Sequence, residues 1–286
     1  MNMTHRTGNT VIGILGASLV ALLMGCTDDS GGDGDGGTDG KDTSQQETDP
    51  QWNDSATNSE TDTASSSQGS DSDGCKSHIV ATIRDFRSNH PDFQVYSGSA
   101  ETTGLVAATL GADVKPVFAS TGEGTEYNQQ ITSADTFNQW YRDVPGVNLA
   151  FQEEIPLTQN ADGLYEYSSN AFFPLDDEPD SFGNDGNNHN FHFTTEVHLK
   201  FIYQGGEVFN FTGDDDLWMF IDGQLAMDLG GLHPQTSGSV ALDTLGLTRG
   251  EEYTMDIFHA ERHTDQSNFH ITTSIECIET YIPEVE

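Results

Sequence analysis

The chain has 286 residues, and its 47 acidic against 10 basic side chains give a formal charge of −37. This balance argues against a nucleic-acid-binding protein, because the sequence offers no basic stripe to neutralise phosphates. It also argues against electrostatic attachment to anionic lipid. Hydrophobic residues make up 34% of the chain, but no apolar run reaches 18 residues, so no ordinary membrane span is expected.

The first 26 residues have the pattern of a bacterial export signal. A basic pair precedes an apolar run over residues 11–24, and the run leads directly into Gly25 and Cys26. This pattern is typical of a lipoprotein signal peptide. We expect residues 1–26 to be that signal, with lipid on Cys26 as the membrane attachment; an ordinary secretory signal is the alternative. Thr27 after the cysteine favours the outer membrane of the cell envelope, with the rest of the chain surface-exposed.

Residues 27–74 predict a disordered acidic linker. The segment consists mainly of Gly, Ser, Thr, Asp, Asn and Gln, with 13 acidic residues and one lysine. Such a composition buries too little apolar surface to offset the entropy lost on ordering. A flexible chain of this length reaches about 40 Å, and like-charge repulsion extends it further. The linker would therefore hold the folded part away from the membrane.

Three cysteines occur in the chain. If Cys26 takes lipid, Cys75 and Cys277 remain, one at each end of the folded region. An even pair in an exported domain predicts one disulfide that joins the two ends. Two free thiols are the alternative.

Residues 75–286 predict an all-β domain. Short runs with alternating or continuous apolar residues follow one another, separated by Gly-rich turns, which is typical of a sandwich or barrel. The only helical segments expected are a turn at 84–89 and a short helix around 134–141. The strands are predicted at residues 189–203, 208–211, 217–221, 225–229, 240–247, 253–257 and 269–277.

The hairpin around residue 222 has the clearest local signal. Residues 217–221 are continuously apolar, as expected for a strand that is buried on both faces. Asp222 and Gly223 then supply two turn residues that tolerate positive φ. The sequence therefore predicts a tight turn and an antiparallel return strand.

Several segments carry a family resemblance. Residues 211–223 read Phe-Thr-Gly-Asp-Asp-Asp-Leu-Trp-Met-Phe-Ile-Asp-Gly, residues 228–233 read Asp-Leu-Gly-Gly-Leu-His, and residues 258–263 read Phe-His-Ala-Glu-Arg-His. Over about residues 79–277 these segments, in this order, resemble the fibro-slime domain of surface and secreted proteins. That family looks like a branch of the protective-antigen-type β-sandwich domains, which include yeast flocculin and adhesin lectins. The resemblance implies that fold here.

The resemblance also implies a calcium site. In the yeast lectins a cis Asp-Asp pair holds Ca²⁺, which coordinates sugar hydroxyls, and the matching pair here is Asp214 and Asp215. On a regular strand these side chains would point to opposite faces, so convergence on an oxygen-rich Ca²⁺ shell requires an irregular backbone. The lectins take a further ligand from a later loop, for which Asn268 and Asp265 are both candidates. A solvated acidic turn is the alternative.

Three neighbouring residues are further candidates for ligand binding. Asp216 extends the acidic pair, at a position where many relatives have Gly. His233 either contacts ligand or fixes its loop by hydrogen bonding, and Trp218 either stacks on a sugar or packs in the core. Arg262 is adjacent to Glu261 and so points to the opposite face; it is expected to pair with Asp214–Asp216 or another carboxylate.

These observations predict a surface-displayed lipoprotein that binds extracellular polysaccharide or another glycan through Ca²⁺. A structural surface or matrix protein without a ligand is the alternative, and a secreted hydrolase is the third possibility. Catalysis is not expected. His259 and His263 flank an acid, but the zinc-peptidase motif lies on a helix, whereas this segment alternates as a strand.

Overall fold

Two antiparallel β-sheets form the domain in the computed structural model, which describes residues 78–95, 101–119 and 130–283. The predicted signal peptide, the linker, Cys26 and Cys75 lie outside the described residues. No helix within those described ranges is long and apolar enough to cross a membrane.

Twelve strands are assigned within the described ranges. In chain order they are β1 (His78–Phe86), β2 (Asn148–Pro156), β3 (Thr158–Gln159), β4 (Tyr165–Ser169), β5 (Phe193–Ile202), β6 (Val208–Gly213), β7 (Asp216–Ile221), β8 (Gln224–Leu229), β9 (Thr236–Ala241), β10 (Glu252–Glu261), β11 (Phe269–Thr273) and β12 (Glu279–Thr280). The larger sheet has the order β2-β1-β5-β10-β7-β8, with β12 also paired to β5, and the smaller sheet has the order β3-β4-β11-β6-β9.

The main hydrophobic core lies between the two sheets. Strand β1 contributes alternate residues Ile79, Ala81 and Ile83, and β6 contributes Phe209 and Phe211 from the other sheet. This period-two alternation places one apolar row of each strand against the facing sheet. The all-β sandwich predicted from the sequence is confirmed.

A second apolar cluster covers the outer face of the larger sheet. It joins residues of β7 and β10 to aromatic side chains from the segment between β1 and β2. All six residues of β7 are buried, because the core packs on one face and this outer cluster on the other. The prediction that residues 217–221 form a strand buried on both faces is confirmed.

The predicted hairpin is confirmed. Ile221 pairs with Gln224, and between them Asp222 and Gly223 have φ values of 49° and 70°. Both residues are of types that accept this left-handed conformation. The turn directs β8 back along β7 at the edge of the larger sheet.

The strand predicted at 240–247 is wrong in its second half. Strand β9 ends at Ala241, and the chain continues as a 3-10 helix, Leu242–Leu245. Asp243 accepts hydrogen bonds from the Tyr203 hydroxyl and the Gly206 backbone, each 2.6 Å long. These contacts hold the segment in a turn, and Gly246 ends it with a φ of 73°.

The prediction of a helical turn at 84–89 is wrong for residues 84–86, which belong to a strand. Strand β1 continues through Arg84 to Phe86, because it pairs along its length with β2 and again with β5. The short helix predicted at 134–141 is present but shorter. It spans Ala134–Phe137, and Ser133 caps its N-terminus.

Cys277 is disulfide-bonded. This agrees with the prediction for that residue, while its expected partner, Cys75, lies outside the described residues. The Cys75–Cys277 pairing stays a prediction.

Stability is expected to fall at acid pH because of His192, which directly precedes β5. The side chain is 2% exposed, and burial lowers the pKa of His192 to about 4. The unfolded chain, with a pKa near 6.5, therefore binds the proton more readily, so the contribution of His192 is complete above pH 6.5 and is lost as the pH falls towards 4. The contribution of His192 to the free energy of unfolding is at most about 3 kcal/mol.

Urea unfolding at several pH values between 4 and 7 measures this contribution. The parent should lose more stability on acidification than His192→Gln, which has no imidazole to protonate. Equal losses in the two proteins would contradict the assignment.

Candidate functional site

Three connections between strands meet around a small cavity of about 260 Å³. They are the β6–β7 junction, the β8–β9 loop and the β10–β11 loop, which are brought together because β6 and β7 belong to different sheets. The lining residues are Asp214, Asp215, Leu232, His233, Pro234, Glu261, His263, Asp265 and Gln266.

Asp214 and Asp215 are the two residues that cross from β6 to β7. The peptide bond between them is cis, and both side chains line the cavity. The preceding Gly213 is needed here, because a Cβ on it would lie 2.4 Å from the carbonyl oxygen of Asn268. The sequence therefore allows the β10–β11 loop to approach the acidic pair closely.

Asn268 holds the carboxylate of Asp214. Its backbone N–H donates to Oδ1 and its side-chain amide donates to Oδ2, each over 2.6 Å. Burial raises the pKa of Asp214, and the hydrogen bonds from Asn268 oppose that change. The carbonyl oxygen of Asp214 lies 2.8 Å from Nε2 of the buried His259.

Asp215 is held by two backbone N–H groups from the other connections. His233 donates to Oδ1 over 3.3 Å, and Arg262 donates to Oδ2 over 3.2 Å. The pKa of Asp215 is raised to about 7, mainly by burial; the charge of Arg262 opposes the shift and the charge of Asp216 adds to it. The two cavity carboxylates are thus positioned by main-chain N–H groups and the Asn268 amide but lie in surroundings that disfavour their charge.

Asp216 does not line the cavity, which corrects its prediction as a ligand-binding residue. It is fully buried, its Oδ1 accepts from the Gly231 backbone over 2.6 Å, and its Oδ2 lies 2.7 Å from Nε of Arg262. The expected pairing of Arg262 with this acidic run is confirmed. As the first residue of β7, Asp216 points away from its two neighbours and into the outer cluster.

The prediction of Trp218 as a ligand-binding residue is also corrected. Its side chain is fully buried, and its indole N–H donates to Asp228 over 3.0 Å. The ring packs in the outer cluster beside Phe137 and Trp140. No face of the indole is exposed for a sugar to stack on, so Trp218 is a core residue.

His233 lines the cavity, and its ring is held by its own loop. The two ring nitrogens each lie 3.0 Å from a carbonyl oxygen, Nδ1 from Pro234 and Nε2 from Leu229. The ring therefore fixes the β8–β9 loop, which places the His233 N–H on Asp215. His233 is 6% exposed, and ligand contact by this residue stays a prediction.

The structure separates the two candidates for a further metal ligand. Asp265 is exposed and lines the cavity, whereas Asn268 is 7% exposed and contacts Asp214 directly. Within the described ranges, no group of three His, Cys, Asp or Glu side chains forms a ready-made metal site. A site here would need amide or backbone oxygens as well, which Ca²⁺ accepts.

Glu261 is a cavity residue that the sequence did not single out. It ends β10, is 2% exposed and lines the cavity, while the adjacent Arg262 enters the outer cluster. The opposite orientations of these neighbours follow from strand geometry. The available signal was the acid itself, at a strand end beside Arg262, which was already expected to pair with a carboxylate.

Comparison with known proteins finds a family match for part of the chain. Residues 163–281 match the PA14 domain, and the two antiparallel sheets are consistent with that match. The match includes the acidic pair and the loops of the cavity. Strands β1, β2 and β3 lie outside it.

Curated relatives are found in Dictyostelium discoideum. Protein psiC is 40% identical over 72% of this chain, and protein psiD is 41% identical over 69% of it. The chain spans only 43% and 41% of the lengths of these two relatives. Among solved structures, a β-glucosidase from Kluyveromyces marxianus in complex with glucose has a TM-score of 0.22 at 11% identity, covering 32% of this chain and 11% of that one. A similarity at that level supports no functional conclusion.

Proposed function

We propose that this domain binds carbohydrate at the cavity and does so through Ca²⁺ held by Asp214 and Asp215. The observation that carries the proposal is the pair of adjacent carboxylates aimed into one cavity between three loops. A PA14 domain match over the same residues supports it. We propose no catalytic role.

The residues present fit a hard cation. The cavity offers carboxylate oxygens from both aspartates, Asp265 also lines it, and Asn268 contacts Asp214. Burial raises the pKa of both aspartates, while hydrogen bonds from Asn268 to Asp214 and the charge of Arg262 near Asp215 oppose the shifts. Oxygen donors with this charge are those that Ca²⁺ prefers.

A bound Ca²⁺ would supply coordination positions for two neighbouring sugar hydroxyls. The chain's own part is to orient the acids before ligand arrives. Asn268 fixes both oxygens of Asp214, and the N–H groups of His233 and Arg262 fix those of Asp215. Such preorganisation lowers the entropy that binding must offset.

The lining indicates which saccharide fits. Four of the nine lining side chains are acidic and none is Lys, Arg, Phe, Tyr or Trp. An acidic wall in a chain of charge −37 disfavours sugar acids. At about 260 Å³ the cavity lies just below the usual range for ligand pockets, so we propose a single uncharged sugar residue as its occupant.

We further propose that the domain is displayed at the cell surface. Lipid on Cys26 and the acidic linker 27–74 would anchor it in the envelope at a distance from the membrane. Adhesion to extracellular polysaccharide follows from that placement. A structural surface protein without a ligand is the second candidate, and it is favoured by the protein donors that already satisfy Asp214 and Asp215.

Calcium calorimetry on the full chain tests this function. We expect the parent to bind Ca²⁺ and the double variant Asp214→Asn/Asp215→Asn to lose affinity at least 100-fold, because two anionic ligands are removed. Asp222→Asn is the control for the substitution itself, since it replaces one aspartate by asparagine at an exposed turn where Asn also accepts positive φ.

A glycan array in Ca²⁺ and in EDTA then tests sugar binding. Retention of uncharged glycans only in Ca²⁺, and only by proteins with the acidic pair, is the expected result. A parent that produces no calcium heat and retains no glycan would leave the structural candidate.

A further inference from the structure

A second cavity, of about 580 Å³, lies on the outer face of the larger sheet. Strand β1 contributes Val80, Thr82 and Arg84 to its lining, and these residues alternate with the core residues of that strand, so they face away from the other sheet. Strands β2 and β5, the loop that contains Lys115 and the segment after β12 supply further lining. The volume is typical of a small-molecule site, and the calcium proposal does not use this cavity.

Two cations line this cavity, whereas the lining of the acidic cavity contains none. The side chains of Arg84 and Lys115 are 7% and 16% exposed, and both contact the carboxylate of Glu196, which is 2% exposed. Arg84 also pairs with Asp143 through Nε, but that carboxylate is 71% exposed, so water screens its charge. One buried carboxylate thus faces two largely buried cations.

Both cations keep donors that these ion pairs do not use. An ammonium group has three N–H donors, and that of Lys115 contacts a single oxygen of Glu196. Arg84 uses Nε and Nη1, so its second terminal nitrogen takes part in neither of its ion pairs. A further acceptor in the cavity could therefore bind both cations without displacing Glu196.

Part of the lining is apolar and is held in place by hydrogen bonds. Tyr281, Ile282 and Pro283 form this part. The N–H of Tyr281 donates to the carbonyl oxygen of His198 over 3.0 Å, and its hydroxyl donates to Asp256 over 2.8 Å. The cavity thus combines a cationic part with an apolar part, which is typical of sites for small organic molecules.

We propose that this cavity binds a small organic carboxylate, whose anionic end pairs with Arg84 and Lys115 and whose apolar body packs against the segment that begins at Tyr281. Charge-assisted hydrogen bonds from arginine and lysine to a carboxylate are among the strongest in proteins. The single positive charge that Glu196 leaves unmatched suits a carboxylate rather than a doubly charged phosphate. No described residue lines both cavities, so this binding requires neither Ca²⁺ nor the acidic pair.

An NMR titration of the full chain with benzoate tests the proposal, in EDTA and about 0.15 M salt, which screens the net charge of the protein. We expect saturable binding of benzoate and at least tenfold weaker binding of benzamide, which has a similar shape but no charge. Lys115→Met should bind benzoate at least tenfold more weakly than the parent, because it loses one of the two cations. Lys200→Met is the matched control: Lys200 pairs with Glu252 and does not line the cavity, so this variant should stay within twofold of the parent.

The pH profile distinguishes an anion-binding lysine from a structural one. Burial lowers the pKa of Lys115 to about 8, so its positive charge is present at pH 7 and lost by pH 9. Burial also lowers the pKa of His198, whose ring therefore stays neutral over this range. Benzoate affinity should fall about fivefold or more between pH 7 and pH 9, and Lys115→Arg, which stays charged, should abolish that fall. The charged groups and the imidazole around Lys115 are Arg84, Asp113, Arg142, Asp143, Glu196 and His198.

Several results would overturn the proposal. Absence of saturable binding up to about 10 mM benzoate would do so, as would equal affinity for benzoate and benzamide. Should Lys115→Met be unfolded, the decision rests on Lys115→Arg, and a pH profile like that of the parent would then count against the proposal. Asp214→Asn/Asp215→Asn should bind benzoate as the parent does, so this site and the calcium site can each fail without the other.

Discussion

Replacing Arg262 with methionine is expected to lower the free energy of unfolding by about 3–5 kcal/mol. The guanidinium is fully buried, with Nε 2.7 Å from Asp216 and Nη1 donating to two backbone carbonyl oxygens. Methionine fills similar volume but leaves the carboxylate of Asp216 buried without its counter-charge. The loss therefore comes mainly from an uncompensated charge rather than from a cavity.

Denaturant unfolding with Arg249→Met as the control measures this effect. Arg249 is exposed, so the same substitution there should change stability by less than about 0.5 kcal/mol. Adding Asp216→Asn to Arg262→Met should recover part of the loss, because it removes the unpaired charge. Loss of less than 1 kcal/mol in Arg262→Met would show that the ion pair is not needed for the fold.

Replacing Trp140 with alanine is expected to cost about 3–5 kcal/mol. The indole is fully buried at the centre of the outer cluster, and its N–H donates to Asp92 over 3.1 Å. Its ring lies 4.9 Å from the guanidinium carbon of Arg262 and 4.9 Å from the ring of Phe137. Alanine removes these contacts and opens a large cavity at the same time.

Trp140→Phe is the graded control for this prediction. Phenylalanine keeps most of the packing but not the hydrogen bond to Asp92, so we expect it to lose clearly less than alanine does. Thermal or urea unfolding of both variants decides the matter. Equal losses would mean that the hydrogen bond, rather than ring packing, carries the contribution of Trp140.

Both residues also connect the outer cluster to the candidate site. Arg262 places its backbone N–H on Asp215 while its side chain is held by Trp140, Asp92 and Asp216. The position of one cavity carboxylate therefore depends on packing across the larger sheet. Variants at Trp140 that stay folded should weaken calcium binding through this connection, if Ca²⁺ binds as proposed.

The sequence by itself determined the features that depend on neighbouring residues. Alternating and continuous apolar runs predicted the all-β class and the doubly buried β7, and the Asp222-Gly223 turn predicted its hairpin. The aspartate pair was singled out by the family resemblance, whose segments are contiguous in the sequence. The apolar runs and the turn depend on local periodicity and on backbone preferences at single positions, both of which a sequence displays directly.

Only the tertiary structure decided the roles of the charged residues. Asp214, Asp215 and Asp216 are adjacent and chemically identical, yet two line the cavity and one forms a buried ion pair. Glu261 joins the cavity, and Trp218 leaves the list of ligand-binding residues. Strand β1 was missed although its apolar residues alternate, and its pairing with the distant strands β2 and β5 was not predicted. The physical reason is the same in each case: burial and charge pairing depend on contacts between residues far apart in sequence, such as Arg262 with Asp92, and local pattern does not encode those contacts.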